Sequence, residues 1–482
     1  MTLEERRKQW PAAADINRRL EHVWNAPLRN LTGEALDKYH RYFVEKCATS
    51  KKMIDKAKEF IPKGVQHNLA LNYPFPLAMD RADGAYLYDV DGNRYIDFLQ
   101  AGGPTILGSN YVPVRDKMLE LIRDKGPTIG LFNEYEYKLA EVVHRFMPAV
   151  EMIRMAASGT EADMAAIRVA RAYTGKTKVI KIGGGYHGWS DELVYDIRAA
   201  GTKDAFATGI PPEVLQHTQA VTNNDLELVR ELLVKNKDQG GTACIVVEPI
   251  GPESGTRPVD FDYNAGLRKL CDEFETLLIF DEVVTGFRIG LGGAQEYFGV
   301  IPDLTVFGKA ITGTYPMAGA VGGKKEIISL FAGGLGGKSK RVMIGGTLSA
   351  NPLSCAAGYY SLLEIERTHA CEKATLAAER LTAGLQKLVD KYELPFAVYN
   401  QFSIVHFDAI GNLNLDYNTG NPAEINAKLE ERTQRHNELG MALSAEGIIT
   451  IAASRVYTSL ADTDEVIDDA IIRFDRLLSN FA

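Results

Sequence analysis

Short apolar runs alternate with amphipathic stretches through the middle of the chain. The runs are apolar at successive positions, which is typical of strands buried on both faces, and the stretches between them repeat apolar residues at helical spacing. The pattern predicts strands at 153–157, 179–182, 243–247, 277–280 and 304–307, and helices at 161–173, 226–235 and 263–274. It favours an α/β fold with a mainly parallel sheet flanked by helices.

The two ends of the chain follow other patterns. The first sixty residues are polar and helix-prone, with breaks at Pro11, Pro27 and Gly33. Residues 85–98 place aromatic and β-branched positions around an Asp-Gly-Asn turn, which predicts a hairpin. After residue 350 a long helix and then mixed elements are predicted. We expect an N-terminal helical extension at 1–60, a large domain at 115–350, and a small α+β domain built from 61–114 and 351–482.

The composition excludes several classes of protein. Of the 482 residues, 45% are hydrophobic and 24% are charged, with a formal net charge of −9 and no basic block, so no nucleic-acid partner is expected. Five cysteines are scattered without a CxxC pair, which argues against disulfides and metal sites and favours a reducing compartment. Because the N-terminus is polar and no apolar run reaches about 18 residues, we expect a cytoplasmic protein without a membrane span.

Polar residues follow the predicted strands directly, where open α/β sheets place their ligands. The first group is Ser158-Gly159-Thr160, between a strand and a helix. Small residues bring the backbone close to an anion, and a helix N-terminus adds free N–H groups and a positive dipole end. The group can bind a phosphate. The alternative is a plain N-cap by Ser158 or Thr160.

Three glycines at 183–185 precede Tyr186 and His187 after the next predicted strand. Glycine permits unusual backbone angles, so both aromatic side chains can project at the sheet edge and stack on a flat heteroaromatic ring. The alternative is a flexible turn with two packed aromatic side chains. The glycines do not match GxGxxG, so a dinucleotide site is not supported.

Two acidic residues, Glu248 and Asp281, end apolar strands. A buried carboxylate is costly unless it is paired with a positive charge or several donors. For Asp281 the partner could be a pyridinium N–H, a metal ion, or the magnesium of a nucleotide site. The chain has no GxxxxGK[ST] segment, which removes most of the nucleotide interpretation. Glu248 would support the same site from one layer further out.

A lysine, Lys309, directly follows the apolar strand 304–307. Most lysines stay solvated, but a desolvated lysine has a lowered pKa and can form a Schiff base. The alternative is a lysine whose amine reaches out of a loop into water. A small-residue loop at 345–352 carries Thr347 before a helix, and it offers either another phosphate donor or a simple turn.

Taken in this order and spacing, the motifs resemble those of the class III (subgroup II) aminotransferases of pyridoxal-phosphate (PLP) fold type I. Within that family the chain looks most similar to glutamate-1-semialdehyde aminomutases and related β- and ω-amino-acid aminotransferases. The resemblance runs from about residue 61 to the C-terminus. It rests on ADGAYLYDVDG at 82–92, SGTEA at 158–162, GGYHG at 184–188, FDEVVTGFR at 280–288, FGK at 307–309 and GGTLSANP at 345–352.

The resemblance implies a role for each motif, with the large domain at 115–350 binding pyridoxal 5'-phosphate. Lys309 would hold the cofactor as a Schiff base and later move the substrate proton. Asp281 would keep the pyridine nitrogen protonated, with Val283 and Tyr186 on opposite faces of the ring. The other cofactor-binding residues would be Ser158, Gly159, Thr160, His187 and Glu248, with Thr347 reaching the phosphate of the neighbouring subunit in a homodimer with shared active sites.

The substrate-binding segments depart from the aminomutase pattern. Residues 61–70 lack its arginine, and its glutamate near Ser454 is also absent. Residues 72–77 are instead similar to β-amino-acid aminotransferases, in which an upstream arginine binds a carboxylate and His67 has about its place. Arg455 would then bind an acidic group of the substrate, because a guanidinium matches a carboxylate. A surface arginine is the alternative.

These observations favour transfer of an amino group from a small-molecule donor, an amino acid or a β- or ω-amino compound, to a 2-oxo acid. An isomerase on the same cofactor, either an aminomutase or an amino-acid epimerase, is the alternative. A non-catalytic binding protein with this fold would not need both Lys309 and Asp281.

Overall fold

The computed structural model describes residues 1–332, 341–413, 415–418 and 420–481. None of the helices in these ranges is long and apolar enough to cross a membrane. The helices are α1 (Leu3–Gln9), α2 (Ala13–Asn25), α3 (Gly33–Lys46), α4 (Ala48–Ala57), α5 (Val112–Asp124), α6 (Glu134–Phe146), α7 (Gly159–Thr174), α8 (Pro212–Leu215), α9 (Leu226–Asn236), α10 (Pro252–Gly255), α11 (Tyr263–Glu273), α12 (Gly293–Phe298), α13 (Lys325–Ile328), α14 (Pro352–Thr368), α15 (Ala370–Lys391), α16 (Pro422–Ala445) and α17 (Asp464–Leu478).

The strands of the same residues form three sheets. They are β1 (Met79–Asp83), β2 (Tyr86–Asp89), β3 (Arg94–Asp97), β4 (Met152–Ala156), β5 (Lys178–Ile182), β6 (Thr218–Val221), β7 (Thr242–Val247), β8 (Leu277–Asp281), β9 (Leu304–Gly308), β10 (Gly319–Gly323), β11 (Ala397–Gln401), β12 (Ile404–Asp408), β13 (Ile448–Ile449) and β14 (Arg455–Tyr457). The five predicted strands correspond to β4, β5, β7, β8 and β9, and the predicted hairpin to β2 and β3. Strands β1, β6 and β10 do not correspond to any predicted strand.

The described chain divides into two compact units, each assembled from separate segments. Unit 1 comprises Met1–Asn17, Pro113–Thr368 and Asn414–Gly420, and unit 2 comprises Arg18–Val112, His369–Leu413 and Asn421–Ala482. Helix α1 belongs to unit 1 and helices α3 and α4 belong to unit 2, whereas the division between the units falls within α2, after Asn17. These units are defined by how compactly the chain packs, which is not a test of the domain boundaries predicted from the sequence. Those boundaries stay a prediction.

Unit 1 is built on a seven-stranded sheet in the order β4-β10-β9-β8-β7-β5-β6. Only β10 runs antiparallel to its neighbours, and the other described strand pairs are parallel. Because β10 lies between β4 and β9, those two strands run in the same direction. Six strands therefore end at one edge of the sheet, which confirms the predicted α/β fold with a mainly parallel sheet.

Helix α7 packs against this sheet through small side chains. Ala162, Ala165, Ala166 and Ala170 are all buried in the same core cluster as strands β7, β8 and β9. Alanine combines high helix propensity with little volume, so the helix axis can approach the sheet closely. The helix ends at Gly175, whose φ of 72° gives the left-handed conformation that terminates many helices.

Unit 2 contains a four-stranded sheet in the order β1-β2-β3-β13 and a three-stranded sheet in the order β11-β12-β14. Its core includes Tyr39 and Phe43 from α3, Leu381 from α15, Phe407 from β12 and Phe474 from α17. Helix α3 therefore contributes core residues to this unit instead of lying on its surface.

Candidate active site

The predicted site residues of unit 1 follow strands that end at the same edge of the sheet. Ser158 comes after β4, Tyr186 after β5, Glu248 after β7, Asp281 ends β8 and Lys309 comes after β9. The parallel register pairs Val247 with Phe280 and Asp281 with Val306, so neighbouring strand ends lie side by side. The sheet topology thus brings together motifs that are separated by up to about 150 residues in the sequence.

The phosphate motif forms the beginning of α7. Ser158 is the N-cap residue, and its side chain accepts a hydrogen bond of 3.3 Å from the N–H of Glu161. The N–H groups of Gly159 and Thr160 lie in the first helical turn, where no carbonyl of the same helix can accept from them. The plain N-cap and the anion site proposed as alternatives are therefore compatible, because the cap uses a hydroxyl and leaves first-turn donors for an anion.

Val283 lies between two glycines of the site. A Cβ added at Gly159 would lie 2.9 Å from Val283 Cγ2, and one added at Gly308 would lie 2.8 Å from Val283 Cγ1. Both distances are shorter than a carbon–carbon contact allows. The valine therefore occupies space that a side chain at either position would need.

Asp281 is a buried carboxylate with defined partners. Its side chain is 4% exposed, and its Oδ1 accepts a hydrogen bond of 2.9 Å from the N–H of Val283. Its Oδ2 lies 2.7 Å from Nδ1 of His187, which is 1% exposed. His187 is thus buried against Asp281, which differs from the expectation that both aromatic side chains of the glycine segment project at the sheet edge.

Glu282, the next residue, is also buried, but it contacts other parts of the chain. It accepts hydrogen bonds from the N–H of Ala294 at 2.8 Å and the hydroxyl of Thr285 at 3.1 Å. Burial raises the pKa of Glu282 to about 7. The two adjacent acidic residues of the FDEVV segment, Asp281 and Glu282, therefore have separate hydrogen-bond partners.

The loop that carries Tyr186 is fixed from beneath by two buried charged residues. Lys181 donates from Nζ to the carbonyls of Gly185 and Tyr195, both at 2.8 Å, and burial lowers its pKa to about 8. Glu248 accepts from the N–H of Tyr186 at 2.9 Å, and burial raises its pKa. The loop is therefore held in place, and the flexible-turn alternative does not apply to it.

Lys309 begins a short 3₁₀ turn after β9 and is partly buried. Its φ of 47° lies in the left-handed region, which costs energy for a residue with a side chain and occurs often at functional sites. Tyr186 is 44% exposed. Thr347 is exposed, on a loop whose Gly346 lies beside Glu161 of α7.

The two predicted substrate-binding residues belong to unit 2. His67 is exposed, and its Nδ1 accepts a hydrogen bond of 3.1 Å from the N–H of Leu69. Arg455 begins β14, where it pairs with His406 of β12 and is partly exposed. Their role in substrate binding stays a prediction.

Asp163 and Lys181 are two residues of the site that the sequence patterns did not single out. Asp163 lies on α7, is 2% exposed, and has an oxygen close to both His187 and Asp281, with the three ligand-capable atoms within 4.8 Å of one another. Burial, followed by the charge of Asp281, raises the pKa of Asp163 well above its usual value. The available signals were an acid among the packing alanines of a helix and a lysine inside an apolar strand.

Comparison with known proteins identifies the family. Residues 69–478 match the model of the class III aminotransferases. An ω-transaminase from Sphaerobacter thermophilus is 26% identical, with a TM-score of 0.80 over 91% of this chain and 99% of that one. A β-phenylalanine aminotransferase from Variovorax paradoxus is 25% identical, with a TM-score of 0.78 over 92% and 97%. A glutamate-1-semialdehyde aminomutase from Pseudomonas aeruginosa PAO1 is 22% identical and shares the fold, with a TM-score of 0.79 over 96% and 98%.

The chain belongs to the class III aminotransferases. This family is PLP-dependent, and similar transaminases have been solved with PLP bound, so the predicted cofactor is confirmed.

The residues at the sheet edge fit this cofactor. A buried carboxylate, Asp281, suits a protonated ring nitrogen, and the first turn of α7 suits a phosphate. The glycines at 159 and 308 leave room for Val283 beside the helix N-terminus. His187 Nε2 is buried without a hydrogen-bond partner among the described residues, as expected where a polar group of the site awaits a ligand or water.

The close packing at Gly159 gives a prediction that does not involve the cofactor. We expect Gly159→Ala to lower the free energy of unfolding by about 1–3 kcal/mol, because Val283 must shift to admit the methyl group. Val283→Ala in the same chain should recover part of this loss. Chemical denaturation of the cofactor-free protein measures both.

Gly33→Ala is the matched control for this experiment. Gly33 is also the first residue of a helix, but no atom lies within 4 Å of an added Cβ. We expect Gly33→Ala to be neutral or to stabilise by up to about 1 kcal/mol. Equal stability of the Gly159→Ala and wild-type proteins would contradict the contact with Val283.

Proposed function

We propose that this protein transfers an amino group between an amino acid, or a β- or ω-amino compound, and a 2-oxo acid, and that Lys309 holds PLP covalently. The observation that carries the proposal is the meeting of three features at one edge of one sheet. They are the lysine after β9, the buried carboxylate that ends β8, and the N-terminus of α7. The lysine supplies the amine for a Schiff base, the carboxylate suits a cationic ring nitrogen, and the helix N-terminus suits a phosphate.

Asp281 would act on the ring nitrogen of the cofactor. When bound, PLP supplies an electron-withdrawing ring that stabilises negative charge on the substrate carbon next to the amino group. The negative charge of Asp281 would hold a proton at the ring nitrogen. The N–H of Val283 bonds to Oδ1 and the imidazole of His187 lies 2.7 Å from Oδ2, so the carboxylate is fixed at both oxygens.

The phosphate would bind at the first turn of α7, to the N–H groups of Gly159 and Thr160 and to the hydroxyl of Thr160. Ser158 already uses its side chain to cap the helix, so its contribution is the geometry of that turn. Val283 and Tyr186 would flank the ring. Glu248 contributes indirectly, because it binds the main chain at Tyr186.

Lys309 would also move the proton of the reaction. An amine next to the substrate carbon accepts a proton from that carbon and returns it to another position, as general base and then general acid. The left-handed conformation of Lys309, directly after a buried strand, places the start of this side chain on a rigid support. The same chemistry serves transamination and isomerisation, so the roles of the residues do not depend on which of the two occurs.

Reduction with borohydride tests the attachment. We expect the purified protein to retain PLP after reduction, with the modified peptide containing Lys309. Lys309→Ala should lose both the label and activity, whereas Lys324→Ala, a partly exposed lysine that pairs with Asp303, should keep both. Labelling of any other lysine would overturn the assignment.

A panel of amino donors then separates the two reactions. Without a 2-oxo acid, a transaminase converts about one equivalent of donor per active site to a keto product and stops. An isomerase turns over continuously and leaves no net keto product. We expect the first result, with turnover restored by a 2-oxo acid.

We also propose that Arg455 and His67 bind an acidic group of the substrate. The similar solved structures at 25% and 26% identity are named for β-phenylalanine and ω-amino substrates, in which the amino group need not be next to a carboxylate. A carboxylate entering a partly dry site needs a positive partner, since its desolvation otherwise opposes binding. Residues 61–70 contain Lys63 but no arginine, so Arg455 is the better match to a carboxylate.

We expect Arg455→Ala to raise KM for acidic donors by about ten- to a hundredfold, as the loss of about 1.5–3 kcal/mol from a charged hydrogen bond predicts. The KM of a neutral amine donor should change little, because it has no group for the guanidinium. Half-reaction kinetics with both donors measure this. Arg380→Ala, which removes an exposed arginine paired with Asp468, is the control. An equal effect on both donors would contradict the role.

We further propose that the protein is a homodimer with shared active sites, in which Thr347 reaches the phosphate of the neighbouring subunit. An apolar patch supports this, formed by Leu131 (81% exposed), Phe132 (73% exposed) and Tyr137, whose ring stacks on Phe132. The segment that carries the patch is bound to the loop after Thr347, through Asn133 Nδ2 and the carbonyl of Ala350 at 3.3 Å. An exposed patch of this kind marks an interaction surface.

Light scattering tests the dimer. We expect the wild-type protein to have twice the mass of the chain, and Leu131→Glu with Phe132→Glu to yield monomers that bind PLP weakly, because charges in the patch oppose its burial. Leu376→Glu, at an exposed leucine of α15, should remain dimeric. A fully active wild-type monomer would rule out shared sites.

A further inference from the structure

Asp163 is a second buried carboxylate beside Asp281. It lies on the face of α7 that packs against the sheet, it is 2% exposed, and its Oδ1 has no hydrogen-bond partner among the described residues. The proposed function assigns a role to Asp281 and to His187 but none to Asp163. An unpartnered carboxylate oxygen in a dry core is costly, so its presence needs an explanation.

The surroundings of Asp163 contain charges of both signs. Asp281 and Glu248 face it with negative charge, Lys181 and Lys309 with positive charge, and the imidazole of His187 lies in the same cluster. Two carboxylates this close and this deeply buried do not ionise together readily, because each negative charge disfavours the other. The acid with the more hydrogen bonds to its charged form keeps the charge.

Hydrogen bonding separates the two acids. Asp281 has a partner on each oxygen, the N–H of Val283 on Oδ1 and the imidazole of His187 on Oδ2. Asp163 has no such donor on Oδ1. Burial and the charges of Asp281 and Glu248 raise the pKa of Asp163, and the two lysines only oppose this rise.

We propose that Asp163 is a positioning residue that stays protonated in the folded protein and so leaves the negative charge of the pair on Asp281. The proposal rests on the proposed role of Asp281 toward the cofactor and deepens it. With Asp163 neutral, one negative charge faces the ring nitrogen. With Asp163 ionised, two would repel each other and disturb the contact between Asp281 and His187.

Proton linkage in the cofactor-free protein provides the first test. A carboxyl group whose pKa is higher in the folded than in the unfolded chain stabilises the fold only while it is protonated. This contribution is complete below the unfolded pKa, about 4, and is lost as the pH rises toward the folded pKa. Asp163→Asn has no proton to lose. We therefore expect the unfolding equilibrium constant of the wild type, divided by that of Asp163→Asn, to rise by up to about tenfold per pH unit above about pH 5, until the pH reaches the folded pKa of Asp163.

The controls make this test specific to Asp163. Asp272→Asn, at an exposed aspartate paired with Arg268, should show no such change in the ratio. Asp163→Ser supplies a second uncharged variant if the asparagine is poorly accommodated. If neither neutral variant folds, the proposal is overturned, because a residue that is neutral in the folded protein must tolerate a neutral substitute. A ratio that is constant with pH, or that falls, also overturns it.

The absorbance of the bound cofactor provides the second test, which a purely structural role would not affect. We expect the visible spectrum of the wild-type holoenzyme to show, toward alkaline pH, a change from the ionisation of Asp163 that the spectrum of Asp163→Asn lacks. Identical pH profiles of the two spectra would overturn the proposal. Metal analysis that finds one divalent ion per chain would overturn the proposal, since a cation held by Asp163, His187 and Asp281 would keep both carboxylates ionised.

The proposed attachment of the cofactor to Lys309 and the proposed protonation of Asp163 can be overturned independently of each other. The linkage experiment uses protein without PLP, so its result does not depend on where the cofactor is attached. Borohydride labelling of Lys309 together with a flat linkage ratio would remove the role of Asp163 alone. Labelling elsewhere with the expected ratio would remove the cofactor assignment and leave the protonation of Asp163 intact.

Discussion

The structure of the site depends on holding one carboxylate away from water. A buried carboxylate is costly unless the protein itself supplies its polar partners. Asp281 is bonded to the main-chain N–H of Val283 and lies 2.7 Å from the imidazole of His187, and both partners come from segments that follow strands of the sheet. The parallel sheet and the glycine loop after β5 provide the support that these two contacts require.

Much of the fold follows from local patterns in the sequence. The apolar runs that became β5, β7, β8 and β9 are buried on both faces, so their composition alone separates them from helices. Strand β10 reads Gly-Ala-Val-Gly-Gly, and it gave no signal because glycine favours no strand. Its pairing with β4 and β9 comes from tertiary contacts, which a short sequence window does not contain.

The candidate site, like the fold, could be predicted from the sequence only in part. Lys309 and Asp281 stood out because a charged residue at the end of an apolar strand is unusual, but each had an alternative interpretation, and only the resemblance to a family implied their roles. Asp163 could not be interpreted, since its environment consists of His187, Asp281 and Glu248, which are distant in sequence and meet only in the folded sheet. Lys181 was also missed, because its partners are main-chain carbonyls of a loop whose path the sequence does not determine.

The attachment of the glycine loop through its main chain has a consequence for how this enzyme can change over evolution. Glu248 binds the amide N–H of Tyr186, a group that every residue except proline has, and Lys181 binds carbonyls. The tyrosine ring itself is largely free of this scaffold. The path of the loop therefore does not depend on which side chain position 186 carries, provided that it is not proline. Positions 181 and 248 have no such freedom, because their own side chains make the bonds that hold the loop, so we expect substitutions over evolution to be tolerated more readily at 186 than at 181 or 248.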